Sequence, residues 1–213
     1  MYIRQYQINN FAVFSYLVGC KKTKEAVVID PAGDVEIILQ DAAKDNFRIT
    51  KIINTHGHID HIMGNADLKK KTNAAIIIHE ADAHFLSADF FSNLMMFDAQ
   101  PSPSPDVLVK DGDTISFGEE ELRVIHTPGH SQGSMCLYAE GYIFTGDTLF
   151  VEGVGRTDFP GSSWAKLLHS ITKKLFSLPD ETVVFPGHNY GFRPTSTIGD
   201  EKRNNPFVKG EDF

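Results

Sequence analysis

The chain has little cysteine, no long apolar run and no surplus of positive charge. Cys20 and Cys136 are its two cysteines in 213 residues, and neither belongs to a C-x-x-C pair. A disulfide scaffold is therefore not expected, and Cys136, in a strand-like run, reads as core. No apolar stretch approaches the ~20 residues that span a bilayer. Phe11 to Val18 is apolar but short, is broken by Ser15 and follows no basic stretch, so no targeting segment is expected. The formal net charge is −8, whereas a nucleic-acid surface calls for a basic patch. Neither a membrane nor a nucleic acid is an expected partner, and a cytoplasmic enzyme is the simplest reading. A few Arg or Lys side chains can still reverse the local field for an anionic small substrate. Hydrophobic content of 41% and charged content of 23% are ordinary for a globular protein. The length fits one domain, residues 1–213, with a large core.

What the chain does have is metal-type ligands after strand-like runs. Thr55-His56-Gly57-His58-Ile59-Asp60-His61 is an H-x-H-x-D-H cluster directly after Ile52-Ile53. His130 follows Val124-Ile125 through Thr127-Pro128-Gly129. Asp147 follows Tyr142-Ile143-Phe144 through Thr145-Gly146, and His188 follows Val183-Val184-Phe185 through Pro186-Gly187. Residues i and i+2 of an extended segment point the same way, so His56 and His58 can face one ion. Asp60 and His61, on the next bend, can face a second. Gly57 permits a tight turn because it has no Cβ. Imidazole and carboxylate donors suit zinc, iron or manganese. The expected assignment is His56, His58 and His130 on one ion and Asp60, His61 and His188 on another, with Asp147 bridging. Packing alone does not explain the cluster, because burying these groups without metal leaves polar atoms unsatisfied at about 1–3 kcal/mol each. A lone His is more often a surface or satisfied core residue, and His79, His84, His126 and His169 are read that way.

The remaining pattern alternates strands and helices. Tyr2 to Ile8, Phe11 to Val18 and Glu25 to Ile29 read as strands, and Asp30-Pro31-Ala32-Gly33 as a turn. Val35, Ile38, Leu39 and Ala42 have helical spacing. A strand is expected over Ile49 to Ile53, a short helix from about Gly64 to Lys71, and a strand over Ala75 to Ile78. Phe85, Leu86, Phe90, Phe91, Leu94, Met95, Met96 and Phe97 form an aromatic and Met-rich stretch. Pro101, Pro103 and Pro105 then preclude regular structure. The stretch reads as a helix packed on the core or as a wall or lid of a substrate pocket. Strands follow over Thr114 to Phe117, Glu121 to His126, Ser134 to Ala139 and Tyr142 to Thr145. Trp164, Leu167, Leu168, Ile171 and Leu175 mark one face of a helix from about Ser163 to Phe176. A strand over Thr182 to Phe185 and a short helix near Ile198 to Arg203 complete the pattern. Strands and helices in two similar halves suggest an α/β (α+β) protein with a sheet-on-sheet core and helices outside.

These motifs resemble the metallo-β-lactamase superfamily over nearly the whole chain. The resemblance rests on Asp30-Pro31-Ala32-Gly33, the Thr55 to His61 cluster, Thr127 to Ser131, Gly146-Asp147-Thr148-Leu149-Phe150 and Pro186-Gly187-His188. It implies a four-layer αβ/βα sandwich of two mixed sheets flanked by helices, with metal at the sheet edge. Gly155-Arg156-Thr157-Asp158-Phe159-Pro160 and Thr197 to Phe207 look most like the short bacterial hydrolases of the glyoxalase II type. The related persulfide dioxygenases share much of both segments. They use one iron held by two His and one Asp, which here would be His56, His130 and Asp147.

The resemblance implies cleavage of a glutathione thioester, such as S-lactoylglutathione, by a metal-bound hydroxide. Two divalent ions are expected, zinc first and iron or manganese as alternatives. Asp60 would ligate metal and orient the nucleophile. Arg156 suits bidentate contact with a substrate carboxylate, and a structural ion pair is its competing role. Oxidation of glutathione persulfide at a single iron is the alternative activity. The expected partner is a small-molecule thioester, and the expected assembly a monomer or homodimer. Gly129-His130-Ser131-Gln132-Gly133 also fits G-x-S-x-G, but a nucleophile elbow needs a helix next, and Ser134 to Ala139 reads as a strand.

Overall fold

Apolar side chains on both faces of most central strands dictate a layered architecture. The structure, a computed structural model, describes residues 1–8, 11–87 and 100–208. The first sheet has the order β1 (Tyr2–Ile8), β2 (Val13–Gly19), β3 (Glu25–Ile29), β4 (Arg48–Asn54), β5 (Ala75–His79) and β6 (Val107–Val109). Its first three strands are antiparallel neighbours, and β3 to β6 are parallel. Helices α1 (Val35–Lys44), α2 (Ile59–Ile62) and α3 (Asn65–Thr72) come from the crossovers around β4. The second sheet is built from β7 (Thr114–Phe117), β8 (Glu120–His126), β9 (Met135–Ala139) and β10 (Tyr142–Gly146). A small ribbon, β11 (Leu149–Phe150) with β12 (Gly153–Val154), and helix α4 (Trp164–His169) follow. Strand β13 (Val183–Pro186) then pairs parallel with β10, β14 (Ser196–Thr197) pairs on its far side, and α5 (Ile198–Asn204) comes next. No described helix is long and apolar enough to cross a membrane.

The period-2 alternation of strands sorts their side chains into three cores. Phe14, Tyr16, Val27, Ile29, Ile53 and Ile77 meet Phe117, Val124, Leu137 and Phe144 between the sheets. Leu17, Val28, Ile52 and Ile76 point the other way, onto Val35, Ile38 and Leu68 of the helices. Ile125, Cys136, Ile143 and Val184 face Leu167, Ile171 and Ile198 outside the second sheet. The order is helices, sheet, sheet, helices, and both sheets are mixed, as the fold expectation stated.

Two expected elements differ in extent or kind from the sequence reading, and β6, β11, β12 and β14 were not expected. Strand β2 starts at Val13, because Ala12 adopts a left-handed conformation (φ 54°) and accepts from Asn189 N–H at 2.9 Å. The helix expected over Ser163 to Phe176 is α-helical through His169, widens to a π-type turn over Ser170–Lys174 and tightens to 3₁₀ over Leu175–Ser177. Its hydroxyls compete for the backbone there: Thr172 donates to Leu168 O at 2.8 Å and Ser170 to Pro128 O at 2.9 Å. Of the aromatic and Met-rich stretch, Phe85 and Leu86 belong to a 3₁₀ turn, Glu80–Leu86, and Phe90, Phe91, Leu94, Met95, Met96 and Phe97 lie outside the described residues.

Helix α4 docks on the Thr127-Pro128-Gly129-His130 turn through close backbone contact. Gly129 has φ +149°, and a Cβ there would run into the Cα and N of Leu167. Ser163 caps α4, accepting from Lys166 N–H, and its own N–H donates to Gly129 O at 2.8 Å. Gly129→Ala is expected to destabilise the fold by about 1–3 kcal/mol, since backbone must yield. Chemical denaturation measures it, and an unchanged midpoint would contradict this packing.

Candidate metal centre

All seven expected donors come from one edge of the sandwich. Strands β8, β10 and β13 run in the same direction, because β9 is antiparallel to both β8 and β10 and β13 is parallel to β10. Their C-terminal ends deliver His130, Asp147 and His188 together. Gly187 N–H donates to Gly146 O at 2.8 Å, which sets His188 beside Asp147. The first sheet adds the loop after β4 and helix α2, which carry His56, His58, Asp60 and His61. The two sheets are tied at this edge by Phe14 N–H to Gly187 O (2.7 Å), Met135 N–H to Thr55 O (2.9 Å) and the Tyr16 hydroxyl to Pro186 O (2.5 Å).

The donors gather in the two groups read from spacing, and a third group joins Asp30 to His56 and His61 across them. One nitrogen each from His56, His58 and His130 lies within 4.8 Å of the others, and so do donor atoms of Asp60, His61 and His188. Asp147 stands at their junction. Its carboxylate oxygens lie 3.4 Å from His61 Nε2, 3.5 Å from His130 Nε2 and 3.2 Å from His188 Nε2. His58 Nδ1 faces His130 Nε2 at 2.8 Å, and His61 Nε2 faces His188 Nε2 at 3.1 Å.

Hydrogen bonds at the back of four of the five rings fix which nitrogen faces inward. His130 Nδ1 donates to Arg156 O (2.8 Å) and His188 Nδ1 to Phe11 O (2.9 Å). Asp30, itself 1% exposed, accepts from Thr55 N–H (2.7 Å), the Thr55 hydroxyl (2.6 Å) and His61 Nδ1 (3.1 Å). Because the Thr55 hydroxyl donates to Asp30, its oxygen accepts from His56 Nδ1 at 3.1 Å. Four imidazoles thus aim Nε2 inward, and His58 aims Nδ1. This tautomer set is inferred from the hydrogen-bond network.

The donor chemistry fits divalent cations. His56 Nε2 and Asp147 Oδ1 are buried without a hydrogen-bond partner, each at a cost of order 1–3 kcal/mol. Facing imidazole nitrogens cannot both remain acceptors at 3 Å, so a proton or a cation has to lie near them. Burial, then the neighbouring imidazoles, hold His56 well below its ordinary pKa. Burial and His130 push His58 down to about 4. Burial also opposes charge on His61, but Asp147 and Asp60 outweigh it and hold that imidazole well above its usual value. Asp147 is buried, yet His61 and His188 keep its carboxyl well below the carboxylate range. Neutral His56 and His58 beside an ionised Asp147 are donors ready for a cation.

The remaining sequence candidates separate cleanly. Arg156 lines the cleft in front of the donors, and its guanidinium also makes a two-pronged pair with Asp158 at 2.9 and 2.7 Å. Ser131, the formal elbow serine, is buried and donates to Asp82 Oδ2 at 2.6 Å, and strand β9 follows it. His79 and His126 stack on each other at 4.0 Å, and His84 bonds Ala81 O. Those three and His169 stand outside the donor groups.

Sequence reasoning missed two carboxylates and an aromatic lining. Asp30 ends a strand as the other donors do, which was a usable signal for its role behind His56 and His61. Asp82 had none, since it sits in a polar turn far along the chain. Buried, it accepts from Gly57 N–H (3.1 Å), Ser131 Oγ (2.6 Å) and Gly133 N–H (2.6 Å), joining the His56–His58 loop to the His130 loop. Phe85, Phe159, Phe150 and Tyr190 pack on the ligand imidazoles.

Two outcomes are expected. Proton and metal compete for His61, so zinc affinity falls as pH falls, by about tenfold per unit for one released proton between roughly pH 6 and pH 8. Competition with a chromogenic chelator reads this, and a flat profile would refute a protonated His61 in the metal-free protein. Asp82→Asn turns one of three accepting contacts into a donor facing a donor. It should cost about 1–3 kcal/mol and weaken zinc binding, whereas wild-type values in both would remove Asp82 from the site's support.

The comparisons agree with this geometry. The family model described as "Metallo-beta-lactamase superfamily" matches residues 8–188. A hydroxyacylglutathione hydrolase of Rhodospirillum rubrum is 35% identical, over 96% of this chain and 87% of that protein. The mitochondrial persulfide dioxygenase ETHE1 of Homo sapiens is 32% identical, over 91% of this chain and 70% of that protein. The crystal structure of ETHE1 from Myxococcus xanthus superposes with a TM-score of 0.87 at 35% identity, covering 100% of this chain and 86% of that one. From its strand-end donors, its two packed mixed sheets and these matches, the chain belongs to the metallo-β-lactamase superfamily.

Proposed function

We propose that this protein hydrolyses a glutathione thioester of the S-lactoylglutathione type at two divalent ions, zinc before iron or manganese. His56, His58 and His130 would hold one ion and Asp60, His61 and His188 the other, with Asp147 between them. The observation that carries this reading is the completeness of the second donor set. A single-ion centre needs only His56, His130 and Asp147, and a second ion is the more natural reason to gather Asp60, His61 and His188. Bound, the ions would supply Lewis acidity and a water of lowered pKa.

The chain's own groups would do the rest. Water adds to the thioester carbonyl, the carbon–sulfur bond breaks, and a carboxylic acid and a free thiol leave. Asp147 stays ionised through its His61 and His188 neighbours, and provides fixed negative charge between the two donor sets. The Asp60 side chain is 24% exposed against 8% for Asp147. Both carboxylates line the cleft, and Asp60, the more exposed, would orient the attacking water and take its proton. Arg156 would receive a substrate carboxylate by exchange with Asp158. Both partners are exposed, so that pair is easily surrendered.

The likeness to the two ETHE1 proteins supports a second reading, oxidation of glutathione persulfide by dioxygen at one iron on His56, His130 and Asp147. The two readings part in one experiment. Zinc-loaded protein should release thiol from S-lactoylglutathione, and Asp60→Ala should lower kcat/KM by on the order of 10²-fold or more. No hydrolysis by the loaded protein, together with oxygen uptake that depends on glutathione persulfide, would replace the hydrolase by the dioxygenase.

A further inference from the structure

The carbonyl that fixes His130 belongs to a segment with little support of its own. The ribbon β11–β12 has two residues per strand, and an isolated hairpin of that size is marginal in water. Its turn passes through Glu152, a residue other than glycine in the left-handed region at φ 53°. Such a conformation persists only where neighbours impose it. Directly after β12 the chain runs against the metal centre. A Cβ on Gly155 would run into Asp147 O and lie 3.1 Å from His130 Cγ. Arg156 follows, and its carbonyl accepts from His130 Nδ1 at 2.8 Å.

The support comes from outside the donor groups. Glu201, in α5, is 0% exposed. Its Oε2 accepts from Glu152 N–H at 2.9 Å and from Asn205 Nδ2 at 2.9 Å. Asn205 is buried too, and the same Nδ2 donates to Gly153 O at 3.0 Å. The Asn205 N–H donates to Glu201 O at 3.1 Å, one helical turn back. Glu201 Oε1 is buried without a partner. A carboxylate sunk to this depth on two neutral donors is a poor filling for a core, because an apolar side chain avoids the desolvation penalty. What Glu201 and Asn205 gain is a grip on the turn and on β12, four and three residues before Arg156.

We propose that Glu201 and Asn205 are positioning residues of the metal centre. They clamp the ribbon so that the Arg156 carbonyl stands where His130 Nδ1 can donate to it. Nε2 of that ring is thereby held toward the donor group of His56 and His58. The clamp rests on the reading of His130 as a ligand. It is indifferent to the reaction, because His130 belongs to the two-ion set and to the single-iron set alike.

Zinc titration against a chromogenic chelator tests it, with the denaturation midpoint of each variant measured alongside. Glu201→Ala should weaken one of the two zinc ions by about tenfold or more and leave the other unchanged. Glu201→Gln should bind both ions as the wild type does. Its carbonyl oxygen can take the place of Oε2, and its amide nitrogen the place of the partnerless Oε1. Ile38→Ala, in the core outside the first sheet, should lower the midpoint and leave both affinities alone. If Glu201→Ala does not fold, Asn205→Ala carries the same test and should weaken the same ion by roughly several-fold. Unchanged zinc binding in Glu201→Ala, a loss shared equally by both ions or reproduced by Ile38→Ala, or a Gln variant as weak as the Ala variant overturns the clamp. If S-lactoylglutathione is hydrolysed and Glu201→Ala binds zinc normally, the thioester reading stands and the clamp falls. If no thioester is cleaved and persulfide is oxidised at one iron whose affinity still drops in Glu201→Ala, the hydrolase reading falls and the clamp stands.

Discussion

Imidazole lone pairs that face one another in a buried space are the constraint on which the rest depends. His58 and His130 approach to 2.8 Å and His61 and His188 to 3.1 Å. Between neutral acceptors such contacts are repulsive, so a proton, as on His61, or a cation has to lie near them while the surrounding structure holds the rings in place. Enforcement is visible at four of the five rings. Asp30 holds His61 directly and His56 through Thr55, the Phe11 carbonyl holds His188, and the Arg156 carbonyl holds His130. The anchors come from both sheets, so the centre can keep its shape only if the sheets stay in register. The short bonds from Tyr16 to Pro186 and from Phe14 to Gly187 serve that end. Stability at this edge and chemistry at this edge are one problem.

Electrostatics repeats the pattern. Burial would by itself neutralise every group here. It does so for His56 and His58, whose neighbours are mainly other imidazoles. It loses at His61 and Asp147, which are close enough to exchange charge directly. The site therefore holds its internal ion pair in the half that contains Asp60, His61 and His188. In the other half burial keeps His56 and His58 neutral. An ion bound at His61 would have to displace its proton, whereas His56 and His58 carry none.

Much of this was legible in the sequence because strand ends are legible. Apolar runs of about five residues, each ended by a Gly-containing turn and a ligand, fix both the elements and the exit of each side chain. The two-by-three grouping of donors followed from i, i+2 spacing and a bend. Asp82 was not legible, since its three hydrogen bonds join loops about 25 and 50 residues away, and nothing local marks it. The π-type widening after His169 was hidden for a similar reason. The apolar spacing of Leu167, Leu168, Ile171 and Leu175 is helical, and the perturbation comes from hydroxyl bonds that periodicity does not record. The small ribbon β11–β12 and strand β14, each two residues per strand, are too short for any pattern to register.

The walls of the cleft follow a different logic from its floor. Floor residues are constrained by charge, tautomer and coordination, and the same set of His and Asp serves a hydrolytic reading and an oxidative one. Wall residues are constrained only by what must pack against them. Phe150 is buried behind His188, and Tyr190 covers the same ring from the solvent side. A substitution at Tyr190 can therefore change what the cleft accepts without disturbing the hydrogen bond from His188 to Phe11 that sets the donor nitrogen. Asp158 and Arg156 stand apart in the same way, an exposed pair beside the buried cluster. The arrangement separates the buried donor groups from the exposed side chains that line the mouth of the cleft. Specificity can then drift along the rim while the centre, locked by Asp30, Asp82 and the backbone carbonyls, stays as it is.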